Sequence, residues 1–318
     1  MRVSVIGTGF GSSVVARVYE RIGFDVEVVS PRDPARVEEA CAAPVDLVSV
    51  HSPPFLHREH VMRALEHGRN VMCDKPFGRS AAEARSMLDA ATEAGVIHLV
   101  NFEFREDAAR RRIKALIDDG AIGTPRHVHW SMFSAGSRTP LQHHGWLFDK
   151  DRGGGWIGAY GSHVIDALRC FIGEIEDVTA VCRIDVPFRP DAGGVQTACT
   201  AEDAFSASFT FAGGATATVD SAFAAAVSRP QQIEVLGSDG AIVLHGTTDL
   251  TLRRPGEEDE RSTLPQFRGD VHEPSFTRWA ELIRDAVRDG RQVQPSFRDG
   301  LACAEIMDAV RNSGSLAG

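Results

Sequence analysis

With 318 residues, 43% hydrophobic and 25% charged, the chain has the composition of an ordinary globular protein, and its length predicts two domains rather than one core. A formal net charge of −10 argues against a nucleic-acid or anionic-membrane surface. No apolar run approaches the roughly 18 residues of a membrane span, and Met1-Arg2 leads straight into a strand rather than into a signal peptide.

The first element is the apolar run Val3-Ser-Val-Ile6, followed by Gly7-Thr8-Gly9-Phe10-Gly11-Ser12. Val14, Val15, Val18 and Ile22 then recur at helical spacing, and Gly23 ends the helix. Strand, glycine turn and helix in that order are the setting of a dinucleotide-binding turn. Gly7 allows the tight turn, and Gly9 lets backbone approach a pyrophosphate whose charge meets the helix start. Ser12 stands where the third glycine of G-x-G-x-x-G belongs, with Gly11 just before it.

The second strand, Asp25–Val29, ends at Ser30-Pro31-Arg32. A hydroxyl and a guanidinium at this tip favour the 2′-phosphate of NADP, whereas an acid there would bind the NAD ribose. Asp33 either keeps NAD in play or simply caps the next helix. The third strand, residues 46–51, runs through His51 into Ser52-Pro53-Pro54, an extended turn. A helix opening at His57 and closed by Gly68 leads to the apolar run Val71–Cys73, which stops at Asp74-Lys75-Pro76. Lys75 thus sits at the carboxyl end of a strand, where open α/β sheets hold ligands, although such a lysine is elsewhere merely solvated. Ser80 and Glu83 read as a capping box. Residues 96–100 form the fifth strand, with Asn101 at its tip, and 105–119 a charged helix. Five strands alternating with helices predict a doubly wound parallel sheet over residues 1–122.

Alternation stops near Gly123-Thr-Pro125, so a second domain is expected over residues 123–318. Residues 126–130 alternate with period two, which places His127 and His129 on one face. No Cys or H-x-x-E partner accompanies them, and no metal site is expected. Residues 141–150, containing Trp146, read as a loop. Gly153-Gly-Gly-Trp-Ile-Gly-Ala-Tyr160-Gly-Ser-His163 then predicts backbone packed against something flat, with His163 in the first turn of a helix. His163 is either structural or a proton-transfer group near neutrality. Beyond Thr179 the strands are short and joined by hairpin turns: Ala204–Phe211 and 215–223 around Gly213-Gly214, then 231–236, Ala241–His245 and Asp249–Arg253. Residues 185–202 and 255–270 read as exposed loops. Two closing helices carry stripes at Phe276, Trp279, Ile283 and Val287, and at Leu301, Ile306, Met307 and Val310. Six cysteines without C-x-x-C or metal-finger spacing, several in apolar runs, predict reduced thiols and a cytoplasmic protein.

In three places the chain resembles the glucose–fructose oxidoreductase / inositol dehydrogenase / MocA (Gfo/Idh/MocA) family. Gly7–Ser12 resembles its dinucleotide turn, Val71-Met-Cys-Asp-Lys-Pro76 its strand ending in E-K-P with Asp74 for Glu, and Gly153 through His163 and Asp166 its G-G-G…D-x-G-x-H-x-x-D segment. The family's aspartate four residues before the histidine falls on Ala159. The resemblance implies a Rossmann domain, then an α/β domain whose open-faced, mainly antiparallel sheet makes subunit contacts. It also implies that Lys75 and His163 are the catalytic pair on opposite sides of one cleft.

The expectation is therefore an NAD(P)-dependent oxidoreductase, NADP preferred, acting on a secondary alcohol or ketone carbon of a sugar or cyclitol. Its alternatives are a non-catalytic cofactor-binding sensor, which Ala159 motivates, and a glycosidase-like enzyme using bound nicotinamide transiently. Cofactor contacts are expected from residues 7–12, from Ser30 and Arg32, from His51, Ser52, Pro53 and His57, and from Asp74, Lys75 and Asn101. Substrate contacts are expected from Lys75, Trp146, Tyr160 and His163. A homodimer or homotetramer is expected, buried through an apolar open sheet face at 204–253.

Overall fold

The structure, a computed structural model, describes residues 1–313 and 316–317. The chain divides into two compact units: residues 1–106, 151–153 and 267–305 make the first, and 107–150, 154–266 and Ile306 onward the second.

The first unit holds five parallel strands, β1 (Arg2–Ile6), β2 (Asp25–Val29), β3 (Leu47–Val50), β4 (Val71–Cys73) and β5 (His98–Val100), in the order β2-β1-β3-β4-β5. Residues Val71–Cys73 and His98–Val100 are buried throughout, as expected of strands covered on both faces. The helix starts follow local chemistry. Asp33 accepts the Arg36 amide at 3.1 Å, and Ser80 accepts the Glu83 amide at 3.3 Å while Glu83 takes the Arg79 amide at 2.9 Å. Strand order reverses between β1 and β3, the switch point at which such sheets bind ligands.

The domain boundary and the allegiance of one closing helix differ from the sequence expectation. The boundary falls at residues 106/107 rather than after 122, because the helix Ala108–Asp118 packs with the second unit, where Arg110 lies 5.2 Å over the Trp130 ring. The helix Glu273–Asp289 belongs to the first unit: its Phe276, Trp279 and Ile283 share one core with Val3, Leu47 and Leu99. The apolar stripe is the expected one; the core it serves is not.

The second unit is built on a nine-stranded, mainly antiparallel sheet. Its strands are β6 (Pro125–Phe133), β7 (Ile175–Arg183), β10 (Ala204–Phe211), β11 (Thr216–Ala222), β12 (Arg229–Gly237), β13 (Ala241–His245), β14 (Asp249–Arg253), β15 (Glu260–Thr263) and β16 (Leu316–Ala317). A separate ribbon pairs β8 (Phe188–Pro190) with β9 (Gln196–Ala198). The expected loops at 185–202 and 255–270 therefore contain paired strands. The order is β15-β14-β13-β12-β6-β11-β10-β7-β16, with β6 central, parallel to β11 and antiparallel to β12.

One face of this sheet is apolar and buried, through Val128, Trp130, Phe209, Val219 and Ile233. The other carries His127, His129, Thr216, Thr218, Gln232 and Glu234. His127 bonds the Thr216 hydroxyl at 2.7 Å and His129 that of Thr218 at 3.0 Å. The centre of the open face, on β6 and β11, is thus polar, not the apolar surface expected, because its positions are filled by hydroxyl and imidazole side chains that satisfy one another across the ladder, with Leu236 and Val181 as exposed apolar residues on the flanking strands. Among the described residues no helix is long and apolar enough to cross a membrane.

Candidate active site

In the first unit the sheet register assembles the site. Ile6 is paired with Val29 on one side and Val50 on the other, Val50 with Cys73, and Cys73 with Val100. The residues one step beyond these partners are Ser30, Gly7, His51, Asp74 and Asn101. Five residues expected at the cofactor from separate stretches of sequence therefore stand in one row along the carboxyl edge of the sheet.

Gly7 has no room for a side chain, since a Cβ there would lie 2.6 Å from the His51 carbonyl oxygen. Around Gly9 the reverse holds: a Cβ would meet nothing within 4 Å, which leaves backbone open to a ligand. The helix begins beyond it with a π-helical turn, Gly11–Ala16. A Cβ on Gly11 would lie 3.0 Å from His51 Cβ and 3.2 Å from Val5 Cγ1, so Gly11 supplies the close helix–strand packing that a glycine at position 12 would otherwise give. The open turn, the amides of a helix start and their place at the switch point fit a dinucleotide pyrophosphate. At the tip of β2, Ser30 Oγ receives the Arg32 amide at 3.3 Å, Arg32 is exposed, and Asp33 is the helix cap.

Asp74 is the junction of the row. One carboxylate oxygen takes His51 Nδ1 at 3.0 Å; the other takes the Lys75 amide at 2.9 Å and Asn101 Nδ2 at 3.2 Å. Burial alone would push this carboxyl up, but the hydrogen bond from His51, with the charge of Lys75, holds it well below the usual carboxylate range. Lys75 is half-buried and precedes a cis peptide bond to Pro76. His57 faces inward instead of toward a ligand: it is 1% exposed, with its ring nitrogens 3.0 Å from the Pro76 carbonyl and 2.7 Å from that of Ser52. Ser52 Oγ in turn meets His60 Nδ1 at 3.0 Å. Both histidines brace the turns that carry the site rather than line it.

In the second unit the glycine run has a packing origin. A Cβ on Gly154 would collide with the carbonyls of Trp146 and Leu147, and one on Gly155, whose φ is +109°, with the Glu202 carboxylate. Glu202 is 6% exposed, accepts the Ile157 amide at 3.3 Å and pairs with Arg311 at 3.2 Å, while Arg311 also donates to the Gly154 carbonyl. The surface predicted to be flat is therefore carbonyl and carboxylate. Trp156 stacks on Phe223 at 4.3 Å and on Tyr160 at 5.1 Å. His163 lies in the first turn of the helix Ser162–Ile172 and is 2% exposed.

Tyr160 hydroxyl accepts from Trp130 Nε1 at 3.0 Å and donates its proton to Gln231 Oε1 at 2.8 Å, and burial pushes it up to about 12. That hydroxyl is spent inside the sheet, so it neither replaces the carboxylate absent at Ala159 nor offers a proton to a substrate. Trp146 is half-buried and opens the single turn Trp146–Phe148.

Sequence reasoning missed Arg189. It is fully buried, donates to Ser137 O at 2.5 Å and Ser137 Oγ at 3.0 Å, and covers the Phe148 ring at 3.9 Å, so it pins the segment leading to Trp146. Its signal was Gly193-Gly194, a hairpin turn like that at 213–214.

Two family descriptions match the chain: "Oxidoreductase family, NAD-binding Rossmann fold" over residues 24–102 and "GFO/IDH/MocA C-terminal domain" over residues 110–243. Levoglucosan dehydrogenase of Pseudarthrobacter phenanthrenivorans is 29% identical over 307 residues, which span 85% of this chain and 78% of that protein. Inositol 2-dehydrogenase of Rhizobium meliloti is 27% identical over 277 residues, 86% of this chain and 79% of that protein. Among solved structures, a levoglucosan dehydrogenase in complex with NADH has a TM-score of 0.86 at 24% identity, covering 98% of this chain and 96% of that one. An oxidoreductase domain protein from Kribbella flavida has a TM-score of 0.80 at 26% identity, covering 98% and 87%.

Proposed function

The chain belongs to the Gfo/Idh/MocA family of NAD(P)-dependent oxidoreductases, and from that premise we propose that it oxidises or reduces a secondary carbon of a sugar or cyclitol, with Lys75 and His163 as catalytic residues. The observation that carries this reading is the row of strand ends, which sets Lys75 next to an ionised Asp74 on the same sheet edge as the open glycine turn. The backbone at Gly9 and the helix start would hold the pyrophosphate, with Asn101 toward the nicotinamide end. When bound, the nicotinamide supplies or takes up the hydride. Lys75 presents an ammonium that polarises the substrate oxygen, and His163 takes up or returns the proton of that oxygen. Trp146 borders the substrate.

NADP is the preferred cofactor in this reading. The acid nearest the β2 tip, Asp33, is used as a cap, and exposed Arg32 is the group suited to a 2′-phosphate. The six cysteines are unbridged, which suits a reducing cytoplasm. A homodimer or homotetramer would form on the polar open face through hydrogen-bonding rather than apolar contacts.

The test is a panel of levoglucosan, inositols, apiose and keto-sugars assayed with NADPH, NADP⁺, NADH and NAD⁺ by nicotinamide absorbance. Turnover of one or more members, faster with the phosphorylated cofactor, is the expected result. Cofactor binding without turnover of any member would favour the sensor reading that Ala159 motivates.

A further inference from the structure

We propose that His51 is a positioning residue for Lys75, acting through Asp74 to fix the backbone from which that lysine leaves the sheet. This rests on the catalytic reading of Lys75 given above, and no catalytic role is assigned to His51 itself.

Asp74 joins three strand ends with one side chain. Its own amide bonds the Val50 carbonyl at 2.9 Å and the Asn101 amide bonds the Cys73 carbonyl at 2.8 Å, so the ladder continues to this row and stops there. Beyond it, the direction of the chain at Lys75 is set by the 2.9 Å bond from the Lys75 amide to Asp74 Oδ1. That carboxylate is oriented by His51, whose side chain is completely buried and reaches Oδ2 at 3.0 Å.

The proton inventory is directional. A carboxylate only accepts, so His51 donates from Nδ1. In the neutral ring Nε2 then accepts, and the Ser49 hydroxyl lies 2.9 Å away to fill it. Ser49 is followed by the Tyr19 hydroxyl at 3.4 Å, deep in the core. Turning the ring over would lose both bonds in a place that no water reaches, which costs far more than a rotamer change.

The ring is also held from its sides. Phe10 presents an edge at 5.8 Å and Phe276 at 6.3 Å, and His51 Cβ lies directly beneath Gly7 and Gly11. His51 is therefore rigid for reasons that have nothing to do with Asp74, and it lends that rigidity to a carboxylate that is itself partly exposed. Any buried imidazole N–H needs an acceptor, and for His51 that acceptor is the Asp74 carboxylate. This one spends its only proton on the residue that holds the Lys75 amide.

The experiment compares His51→Asn, His51→Gln and His51→Leu in the full chain, with Lys75→Ala as control. The Asn amide reaches about where Nδ1 stands and keeps a donor to Asp74. The Gln amide reaches about where Nε2 stands and keeps only the Ser49 contact. Three readouts are taken: NADPH affinity by fluorescence titration, hydrogen exchange of the Lys75 amide by mass spectrometry, and kcat and KM with the fastest substrate of the panel.

His51→Asn is expected within a few-fold of the parent in all three. His51→Gln and His51→Leu are expected to keep NADPH affinity and KM, to speed exchange at Lys75, and to lose about 10²-fold in kcat, the usual cost of misplacing a reacting group by about 1 Å. If the Leu variant does not fold, the Asn and Gln pair decides. Equal kcat and equal exchange in Asn and Gln would overturn the proposal. An inactive Lys75→Ala beside a fully active His51→Gln would refute the positioning role alone. Turnover that survives Lys75→Ala would remove the catalytic reading and this proposal with it.

Discussion

His60 gives a prediction whose size follows from the structure. It is 2% exposed and its Nδ1 meets the Ser52 hydroxyl at 3.0 Å, and burial, with the charges of His57 and Arg63, pushes its imidazole down to about 4. In the unfolded chain the ring has its ordinary value near 6.5. On acidification the unfolded state gains the proton first, so the folded state loses ground. The His60 contribution is full above about 6.5, falls as pH drops toward 4, and is exhausted below that. The whole drop is worth roughly 3 kcal/mol, or about 6–12 °C in melting temperature for a unit of this size. His57, also depressed by burial, slopes the same way and is common to parent and variant. His60→Gln keeps an amide for Ser52 but does not titrate. Melting curves of parent and variant across about pH 7 to 4 should therefore diverge, with the parent losing more. Parallel curves would show that the ring accepts its proton in place and would refute the reasoning.

Three further perturbations test other parts of the account. Arg32→Ala should weaken NADPH binding by roughly 2 kcal/mol while sparing NADH, measured calorimetrically at low salt; an unchanged ratio would rule out a phosphate contact. Arg189→Met should cost about 3 kcal/mol in urea unfolding, because it strips Asp203, whose carboxyl burial already pushes up, of its 3.9 Å counter-charge. Ala159→Asp places a carboxylate one helical turn before His163 and should move the half-maximal pH of turnover upward without ending activity, since an adjacent negative charge favours the imidazolium.

The first unit was legible because each strand is a short apolar run bracketed by glycine, proline or a cap, and because neighbouring strands, apart from β1 and β3, are consecutive in sequence. The row at the strand ends follows from the same logic. His51 and Asp74 are each one step beyond register-paired Val50 and Cys73, so their contact is contained in the alignment of two strands. What that alignment cannot give is the side-chain partner, which depends on rotamers and on Ser49 behind the ring. Non-local pairing explains the misreadings. The stripe on Glu273–Asp289 is plain, yet nothing in it tells which sheet supplies its core. Alternation in β6 and β11 marks two faces, but only the register His127↔Thr216 and His129↔Thr218 shows that the second face is polar and self-satisfied. Arg189 was hidden because a buried cation in a glycine-rich segment looks like a solvated one until its carbonyl partners are known.

The central claim, that this chain catalyses hydride exchange with Lys75 polarising the substrate oxygen, is tested most directly by Lys75→Ala. Turnover and NADPH affinity are measured side by side on that variant. Lys75 lies at the end of β4, while the open backbone that would carry the pyrophosphate lies at Gly9, on the turn after β1. The expected result is a kcat lower by about 10²–10⁴-fold with NADPH affinity changed no more than a few-fold. Turnover retained at the parent level would contradict it.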